Sequence, residues 1–176
     1  GSEVSGPENG KSNMFMNRWC ILIKEKNTNI KHLNTLKKFW KKNGSKTAVM
    51  TPEKHDKIFS MTSHLPHLVA YNLVKSAQEF EKKQNYELIK YSAGGLRDFS
   101  RIAASNEIMW RDIFFDNKKN VIKAIDLFIK NLKAFKKDID IKNNKSLLKK
   151  LVQTKKVRAQ IIKLKQDINK PDFGRN

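Results

Sequence analysis

The stretch SAGGLRDFSRIAASNEIMWRD, residues 92–112, interleaves three arginines, two aspartates and a tryptophan with apolar residues. In a helix, Arg97 and Arg101 lie four positions apart and Asp98 and Arg101 lie three apart, so their side chains are neighbours. The two glycines ahead of them permit either a close backbone approach or a positive φ at a sharp turn. A guanidinium held in this way suits bidentate binding of a carboxylate or phosphate. The structural alternative is an Asp98–Arg101 pair on a solvated face.

A second stretch, TSHLPHLVA at residues 62–70, places His64 and His67 around Pro66 within an otherwise helical pattern. Pro66 has no N–H to donate to the carbonyl of Thr62, and its ring crowds that carbonyl, so the sequence predicts a kink. Two imidazoles beside a kink are typical of a functional site. As a structural alternative, a histidine caps a carbonyl freed at the kink, which fits His64 better than His67. No Glu or Cys follows within a turn, so we predict no metal site.

Taken together, the motifs S-H-L-P-H, A-G-G-x-R-D-F-x-R-I-A-x-S and M-W-R-D-I resemble the prephenate dehydrogenase family, the dehydrogenases of tyrosine biosynthesis. The opening GSEVSGPE is similar to the segment just after that family's catalytic H-P-x-x motif. The resemblance runs from Gly1 to about residue 140. It implies oxidative decarboxylation of prephenate to 4-hydroxyphenylpyruvate, with hydride transfer to NAD or NADP. Arogenate in place of prephenate stays open, and so does tyrosine as a feedback ligand.

The same resemblance implies roles for individual side chains. His67 is expected to face the substrate, and Arg101 is expected to pair with a substrate carboxylate. Trp110 either closes the pocket wall or packs in the core. An ionic gate over the pocket is implied for Arg97, Asp98 and Glu3. The complete expected set is His67, Arg101, Arg97, Trp110 and Gly94 for substrate binding, with Glu3, Asp98, His64 and Ser2 as gate or supporting residues.

The chemistry of hydride transfer is not carried by this sequence. Its seven glycines, at positions 1, 6, 10, 44, 94, 95 and 174, form no G-x-G-x-x-G motif. In the family that fingerprint begins the chain, and the catalytic histidine is expected just upstream of Gly1. The resemblance therefore implies a fragment, or a chain cut at this point. We expect the chain alone to be inactive and to bind neither NAD nor NADP appreciably.

Composition bounds the class of protein. A length of 176 residues fits one domain, or one domain and part of another. Hydrophobic residues at 39% and charged residues at 31% are typical of a globular chain. No apolar run approaches the roughly 18–20 residues of a membrane helix, and no signal-peptide pattern is present. The single cysteine, Cys20, excludes an internal disulfide and suits a reducing compartment, so we expect a cytoplasmic protein without a membrane partner.

The net charge of +20 offers a rival hypothesis. From Lys118 onward there are eighteen Lys or Arg against five Asp or Glu, a charge pattern that a basic all-helical nucleic-acid-binding module would show. However, only six of the 37 basic residues are Arg, and this segment has few aromatic side chains to stack on bases. A lysine-rich compositional bias explains the charge more simply. We therefore predict no nucleic-acid partner.

Periodicity divides the chain near residue 50. Residues 19–23 are a continuous apolar run typical of a buried strand, Asn29 opens a helix that ends near residues 43–44, and residues 47–50 are a second strand. Thr51 and Pro52 then start a run of helices. Strand, helix and strand form a βαβ unit, which is not a stable sheet alone.

We therefore predict a mainly α fold. Residues 1–50 are interpreted as the last βαβ remnant of a Rossmann-like α/β nucleotide-binding domain, and residues 51–176 as an all-helical dimerisation and substrate-binding domain. The helices carry more apolar stripes than the chain has residues to cover them. This surplus predicts a homodimer whose interface is built from the helices after Thr51.

Overall fold

The computed structural model describes residues 6–164. Its first part is a βαβ unit, as the sequence predicts: β1 (Trp19–Ile23), α1 (Ile30–Lys42) and β2 (Lys46–Met50). The two strands pair in parallel, with Trp19 opposite Lys46 and Ile23 opposite Met50. A short 3-10 turn at Pro7–Asn9 precedes them.

Helix α1 is bounded by residues whose chemistry suits its two ends. The Asn29 side chain accepts hydrogen bonds from the backbone N–H groups of Lys31 and His32, which satisfies two donors of the first turn. After the helix, Gly44 adopts a φ of +83°, and a Cβ at that position would lie 2.6 Å from the Met16 sulfur. Glycine is therefore required at this turn for both conformation and space.

The expectation that β1 is a buried strand is wrong for its two ends. Leu22 is buried, but Trp19 is 52% exposed and Ile23 is also exposed. Side chains of a strand alternate between the two faces of the sheet. Helix α1 packs against both strands. We attribute the exposure of the outward residues to a two-stranded sheet with one covering helix, which leaves the opposite face open.

The rest of the described chain is helical. A π-helical turn at Ser60–His64 joins the first two helices of this part, and a 3-10 turn at Ile89–Tyr91 precedes the third. The helices are α2 (Pro52–Phe59), α3 (Leu65–Gln84), α4 (Gly94–Ile102), α5 (Glu107–Asp116), α6 (Lys118–Asp140) and α7 (Asn144–Lys163).

Single polar residues set the starts of three of these helices. The Thr51 hydroxyl accepts a hydrogen bond from the Lys54 N–H at 3.3 Å, with Pro52 in the first turn, as predicted. Asn106 and Asn143 accept in the same way at the starts of α5 and α7. The helix boundaries therefore follow from local capping chemistry.

The predicted kink takes the form of the π turn and lies before Pro66. The Leu65 N–H donates to the carbonyl of Ser60, five residues back, where an α-helix bonds four back. Pro66 is the second residue of α3, directly after the π turn. The irregularity is thus displaced from the proline to the turn that precedes it.

The described residues form two compact units, one ending at Ile125 and the other beginning at Asp126. The buried apolar side chains of the first unit are Leu22, Leu33, Leu65, Ala70, Trp110, Val121 and Ala124. Between residues 126 and 164 the one buried side chain is Asp138, which accepts from the Ser146 hydroxyl at 2.7 Å and from the Lys150 ammonium at 2.5 Å. No helix of the described residues is long and apolar enough to span a membrane.

Candidate functional site

His64, His67 and Trp110 lie together. His64 ends the π turn and His67 lies in the first turn of α3, so both rings project from neighbouring positions toward Trp110 of α5. The His67 ring stacks on the indole with centroids 3.7 Å apart and planes 21° apart. The His64 ring meets the same indole edge-on at 6.1 Å and 75°. Trp110 is only 6% exposed, so the histidines share a largely water-free wall.

The hydrogen bond of His67 fixes which of its ring nitrogens carries a proton. His67 Nδ1 lies 2.9 Å from the carbonyl oxygen of Ser63. Because a carbonyl only accepts, Nδ1 is the donor, and the neutral ring has its lone pair on Nε2. The expectation that His64 rather than His67 bonds a carbonyl at the kink is wrong. Helical side chains lean toward the residue four positions back, which for His67 is Ser63.

His64 is instead bonded to a residue that sequence reasoning missed, Asn117. The Asn117 amide nitrogen lies 3.2 Å from His64 Nδ1 and 2.8 Å from the carbonyl oxygen of Asp56, and the side chain is only 7% exposed. Asn120 donates to the amide oxygen at 2.8 Å, which completes the bonding of this amide. Burial lowers the pKa of His64, and the charge of His55 acts in the same direction.

A sequence signal for Asn117 exists. Trp110 and Phe114 lie four positions apart on α5, and Asn117, seven positions after Trp110, follows the last residue of that helix on the same side. Trp110 and Phe114 are in ring contact at 5.5 Å. The indole Nε1–H of Trp110 is buried and finds no hydrogen-bond partner among the described residues. Trp110 thus packs in the core and also retains an unused donor next to the two histidines.

Helix α4 carries the predicted anion-binding residues. Arg97 and Arg101 are exposed and Asp98 is half-buried. The helix begins at Gly94, two residues earlier than predicted. Of the two alternatives for the glycines, a positive φ is found at neither of them. A Cβ on Gly94 or its neighbour would contact no atom within 4 Å. The glycines therefore leave open space over the first turn of α4.

Helix α3 supports both parts of the site. It packs against α4, and it carries His67 in its first turn. One turn later, the Tyr71 hydroxyl donates to the carbonyl of Ser105 at 2.8 Å, which ties the segment between α4 and α5 to α3. Burial raises the pKa of Tyr71, so the hydroxyl remains a donor at neutral pH.

The structure therefore brings His64, His67 and Trp110 into contact and places the arginine-bearing α4 against the helix that carries His67. Two expected gate residues, Ser2 and Glu3, lie outside the described residues. Within residues 6–164 no three His, Cys, Asp or Glu side chains are grouped so as to hold a metal ion.

Comparisons with known proteins converge on one family. The family model for the prephenate dehydrogenase dimerization domain matches residues 51–168. A cyclohexadienyl dehydrogenase of Zymomonas mobilis is 32% identical over 161 residues, covering 92% of this chain and 55% of that protein. A prephenate dehydrogenase of Bacillus subtilis is 33% identical over 150 residues, 85% of this chain and 40% of that protein. The chain thus spans about half the length of these curated relatives.

Solved structures agree with this result. The crystal structure of prephenate dehydrogenase from Aquifex aeolicus, in complex with hydroxyphenyl propionate and NAD+, matches with a TM-score of 0.85 and 40% identity. The match covers 92% of this chain and 56% of that one. A Synechocystis arogenate dehydrogenase matches with a TM-score of 0.74 at 23% identity, which supports the fold alone.

Proposed function

This chain belongs to the prephenate dehydrogenase family, and we propose that it supplies the substrate-binding and dimer-forming part of an enzyme that oxidatively decarboxylates prephenate or arogenate. With prephenate the product is 4-hydroxyphenylpyruvate, a precursor of tyrosine. The observation that carries the proposal is the buried stack of His67 on Trp110, supported by the same helix that packs against α4 and its two arginines.

The substrate chemistry fits the side chains available here. Prephenate has two carboxylates, and Arg101 is proposed to bind one of them through the forked contact that a guanidinium allows. His67 is proposed to contact the substrate side chain, while Trp110 forms the wall that excludes water. The space over Gly94 permits close approach of a ligand to backbone N–H groups.

Entrance to the pocket is proposed to be controlled by charge. Arg97, Asp98 and Glu3 are proposed to form an ionic gate, because the first two lie next to each other on α4, one turn before Arg101. His64 and Ser2 are proposed to support the substrate-binding residues.

The cofactor is proposed to be NAD or NADP, which accepts the hydride when it is bound. The Aquifex aeolicus relative was solved with NAD+. This chain has no G-x-G-x-x-G loop to hold the dinucleotide phosphates, so its residues do not fit the cofactor and no catalytic step is assigned to them. We propose that residues 1–50 belong to the nucleotide-binding domain and residues 51–176 to the dimerisation and substrate domain.

A homodimer is proposed from the exposed apolar side chains of the second unit. Among its described residues, the exposed large hydrophobic side chains are Leu127, Phe128, Ile129, Leu132, Ile139, Ile141, Leu148, Leu151, Val152, Val157, Ile161 and Leu164. So many exposed apolar groups in one helical unit are typical of a surface that another subunit covers. The name of the matching family model, a dimerization domain, supports this proposal.

The direct test is enzymatic. The chain is joined to a nucleotide-binding half, such as that of the Aquifex aeolicus relative, and assayed with prephenate and arogenate, each with NAD and NADP. We expect reduced cofactor to form in proportion to the aromatic product. A matched chimera with His67→Ala should lose most of its kcat/KM. If no substrate and cofactor pair gives turnover while the chimera is folded, the proposed function is wrong.

Three further predictions accompany this proposal. Tyrosine is expected as a feedback ligand, which inhibition of the chimera by tyrosine would test.

The single Cys20 favours a cytoplasmic location. Nucleic acid is not expected to bind, although the charge of +20 would attract it weakly. Binding that falls steeply with salt would instead support the nucleic-acid hypothesis.

A further inference from the structure

The two neighbouring histidines are held by hydrogen bonds of opposite kind. At His67, Nδ1 faces a carbonyl oxygen, which can only accept. At His64, Nδ1 faces the amide nitrogen of Asn117. Assignment of the nitrogen and oxygen of an asparagine amide needs an independent argument, because the two atoms have similar sizes.

At Asn117 the neighbouring groups identify which amide atom is the nitrogen. Its Nδ2 lies 2.8 Å from the carbonyl oxygen of Asp56, which can only accept, so this amide atom must be the nitrogen. On the other side, Asn120 Nδ2 donates to the Asn117 oxygen at 2.8 Å, in agreement with that orientation. The second N–H of the same nitrogen is then directed to His64 Nδ1, which must accept and cannot carry a proton.

We propose that Asn117 is a positioning residue that holds His64 as a neutral imidazole with its proton on Nε2, the tautomer opposite to that of His67. The role of this hydrogen bond in the substrate pocket rests on the proposed function, whereas the position of the proton on His64 does not. His64 then presents a hydrogen-bond donor at Nε2. His67 presents an acceptor at Nε2, on the ring that stacks against Trp110.

The consequence for anion binding differs between the two rings. His67 can take a second proton at Nε2 and keep its bond to the Ser63 carbonyl. His64 can become a cation only by protonating Nδ1, which breaks its bond with Asn117. Of the pair, His67 is therefore the ring that can contribute positive charge toward a substrate carboxylate, and His64 contributes a neutral donor.

The charged groups around His64 come from two helices. Asp56 and His55, both from α2, are paired with each other, with 3.0 Å between His55 Nδ1 and the carboxylate. Asp56 favours the cation of His64, whereas His55 and His67 of α3 oppose it. Burial acts in the same direction as these two histidines and is the largest influence. The surroundings therefore reinforce the hydrogen bond from Asn117.

The test is long-range ¹H–¹⁵N NMR of the histidine rings in the chain described here, between about pH 5 and 8. His64→Gln and His67→Gln variants assign the signals. We expect an Nε2-protonated ring for His64 and an Nδ1-protonated ring for His67 at the upper end of this range. A neutral His64 ring that carries its proton on Nδ1 in the wild type overturns the proposal, whatever the variants do.

Two variants test whether Asn117 positions the proton of His64 or only supports the fold. Asn117→Asp replaces the donor by an acceptor, so His64 should bind its proton at least about tenfold more tightly and carry it on Nδ1. Asn120→Ala is the matched control, since it removes the partner of the amide oxygen and keeps both N–H donors. The control should leave the His64 tautomer unchanged. Should Asn117→Asp not fold, Asn117→Ala is used, and a mixture of His64 tautomers is expected.

The pH dependence of kcat/KM tests whether the Asn117–His64 hydrogen bond matters for function. In the chimera with a nucleotide-binding half, Asn117→Asp should move the acidic limb of kcat/KM to higher pH, and Asn120→Ala should not. If Asn117→Asp changes the NMR signal of His64 but leaves the acidic limb of kcat/KM in place, the Asn117–His64 hydrogen bond has no role in the pocket. Absence of dehydrogenase activity in every chimera defeats the proposed function instead, while the NMR result still decides the position of the proton.

Discussion

Residues 52–125 and residues 126–164 are both helical, but they bury opposite kinds of side chain. The first region buries an indole, and two histidines and an asparagine lie around it. The second buries one carboxylate, Asp138, and leaves its large apolar side chains exposed. A helix pair normally places apolar groups inside and charges outside. The first region therefore contains a core of its own, whereas the apolar surface of the second is available to another molecule.

The second region is nevertheless held together in a specific way. Lys150 of α7 donates to the Asp138 carboxylate of α6 and, at 3.2 Å, to the carbonyl of Ala134, and its ammonium lies 5.6 Å from the centre of the Phe135 ring. Ser146 supplies a third bond, to Asp138. Such pairing gives a hairpin its register with little apolar burial. The two regions should therefore respond differently to mutation and to pH.

The largest effect is expected from Trp110→Ala. Truncation of a buried aromatic side chain removes its contacts with His67 and Phe114 and should cost about 3–5 kcal/mol of unfolding free energy. Trp110→Phe, which keeps a ring, is the control and should cost much less. Urea unfolding followed by circular dichroism measures both. A cost under about 1 kcal/mol for Trp110→Ala would show that this region has no core centred on the indole.

The next effect concerns the anion anchor on α4. In the active chimera, Arg101→Ala should reduce kcat/KM by roughly thirty-fold to a few thousand-fold, a loss of about 2–5 kcal/mol. Arg101→Lys should recover little, because an ammonium does not make the forked contact. A loss within about threefold would make Arg101 a structural residue and leave Arg97 as the next anchor to test.

A smaller effect tests the exposed surface of the second region. Leu132→Glu should weaken the proposed dimer by about 2 kcal/mol if this side chain is covered by a second copy. Its neighbour Lys133 is also exposed, so Lys133→Glu adds the same side chain beside the apolar position and serves as the control. Light scattering across micromolar concentrations measures the result. A wild-type chain that remains a monomer throughout contradicts the dimer.

The smallest effect concerns the pH range in which each region loses stability, beginning with His64. The pKa of His64 is lowered from 6.5, mainly by burial, so between 6.5 and the lowered value the unfolded chain binds a proton that the native chain does not. Stability should therefore be complete above about pH 6.5 and fall as the pH is lowered. His64→Gln should remove this dependence. Thermal unfolding at pH 7.5 and 5.5 should show it as a shift in Tm of a few degrees at most.

The second region should lose stability in a more acidic window. Bonds from Lys150 and Ser146 lower the pKa of Asp138 from 3.8, so this carboxylate stabilises the native chain above that pH. The contribution should be lost as the pH falls through the lowered value. Asp138→Asn should abolish the acidic step and leave the His64 step in place. Identical windows for the two steps would contradict the separation of the regions.

Local patterns in the sequence predict much of this fold. The start of α2 follows from Thr51 and Pro52, and the parallel strands follow from two apolar runs with a capped helix between them. Family motifs pointed to His67 and Trp110, which the structure brings into contact. These features need only neighbouring residues or a recognised pattern.

The features that were missed depend on partners distant in sequence. Asn117 contacts Asp56 and His64, which are 61 and 53 positions away. Its spacing from Trp110 indicates the side of the helix on which it lies, but not these two partners. Pro66 predicts an irregularity in the helix but not which turn becomes irregular, because that depends on how α2 and α3 pack. The exposure of Trp19 could not be read from its apolar run, since burial requires a covering layer outside that segment.

The π turn at Ser60–His64 has a consequence for the tolerance of this segment to insertion and deletion. A π turn accommodates one residue more than an α-helical turn. Because the wide turn absorbs the extra residue, removal of a single codon there, for example that of the exposed Met61, would restore a regular α turn and leave α2 and α3 in phase with each other. The same deletion in a regular α-helix would rotate one side by about 100° relative to the other. These five residues are therefore the part of the helical segment where loss of one residue should disturb the flanking helices least.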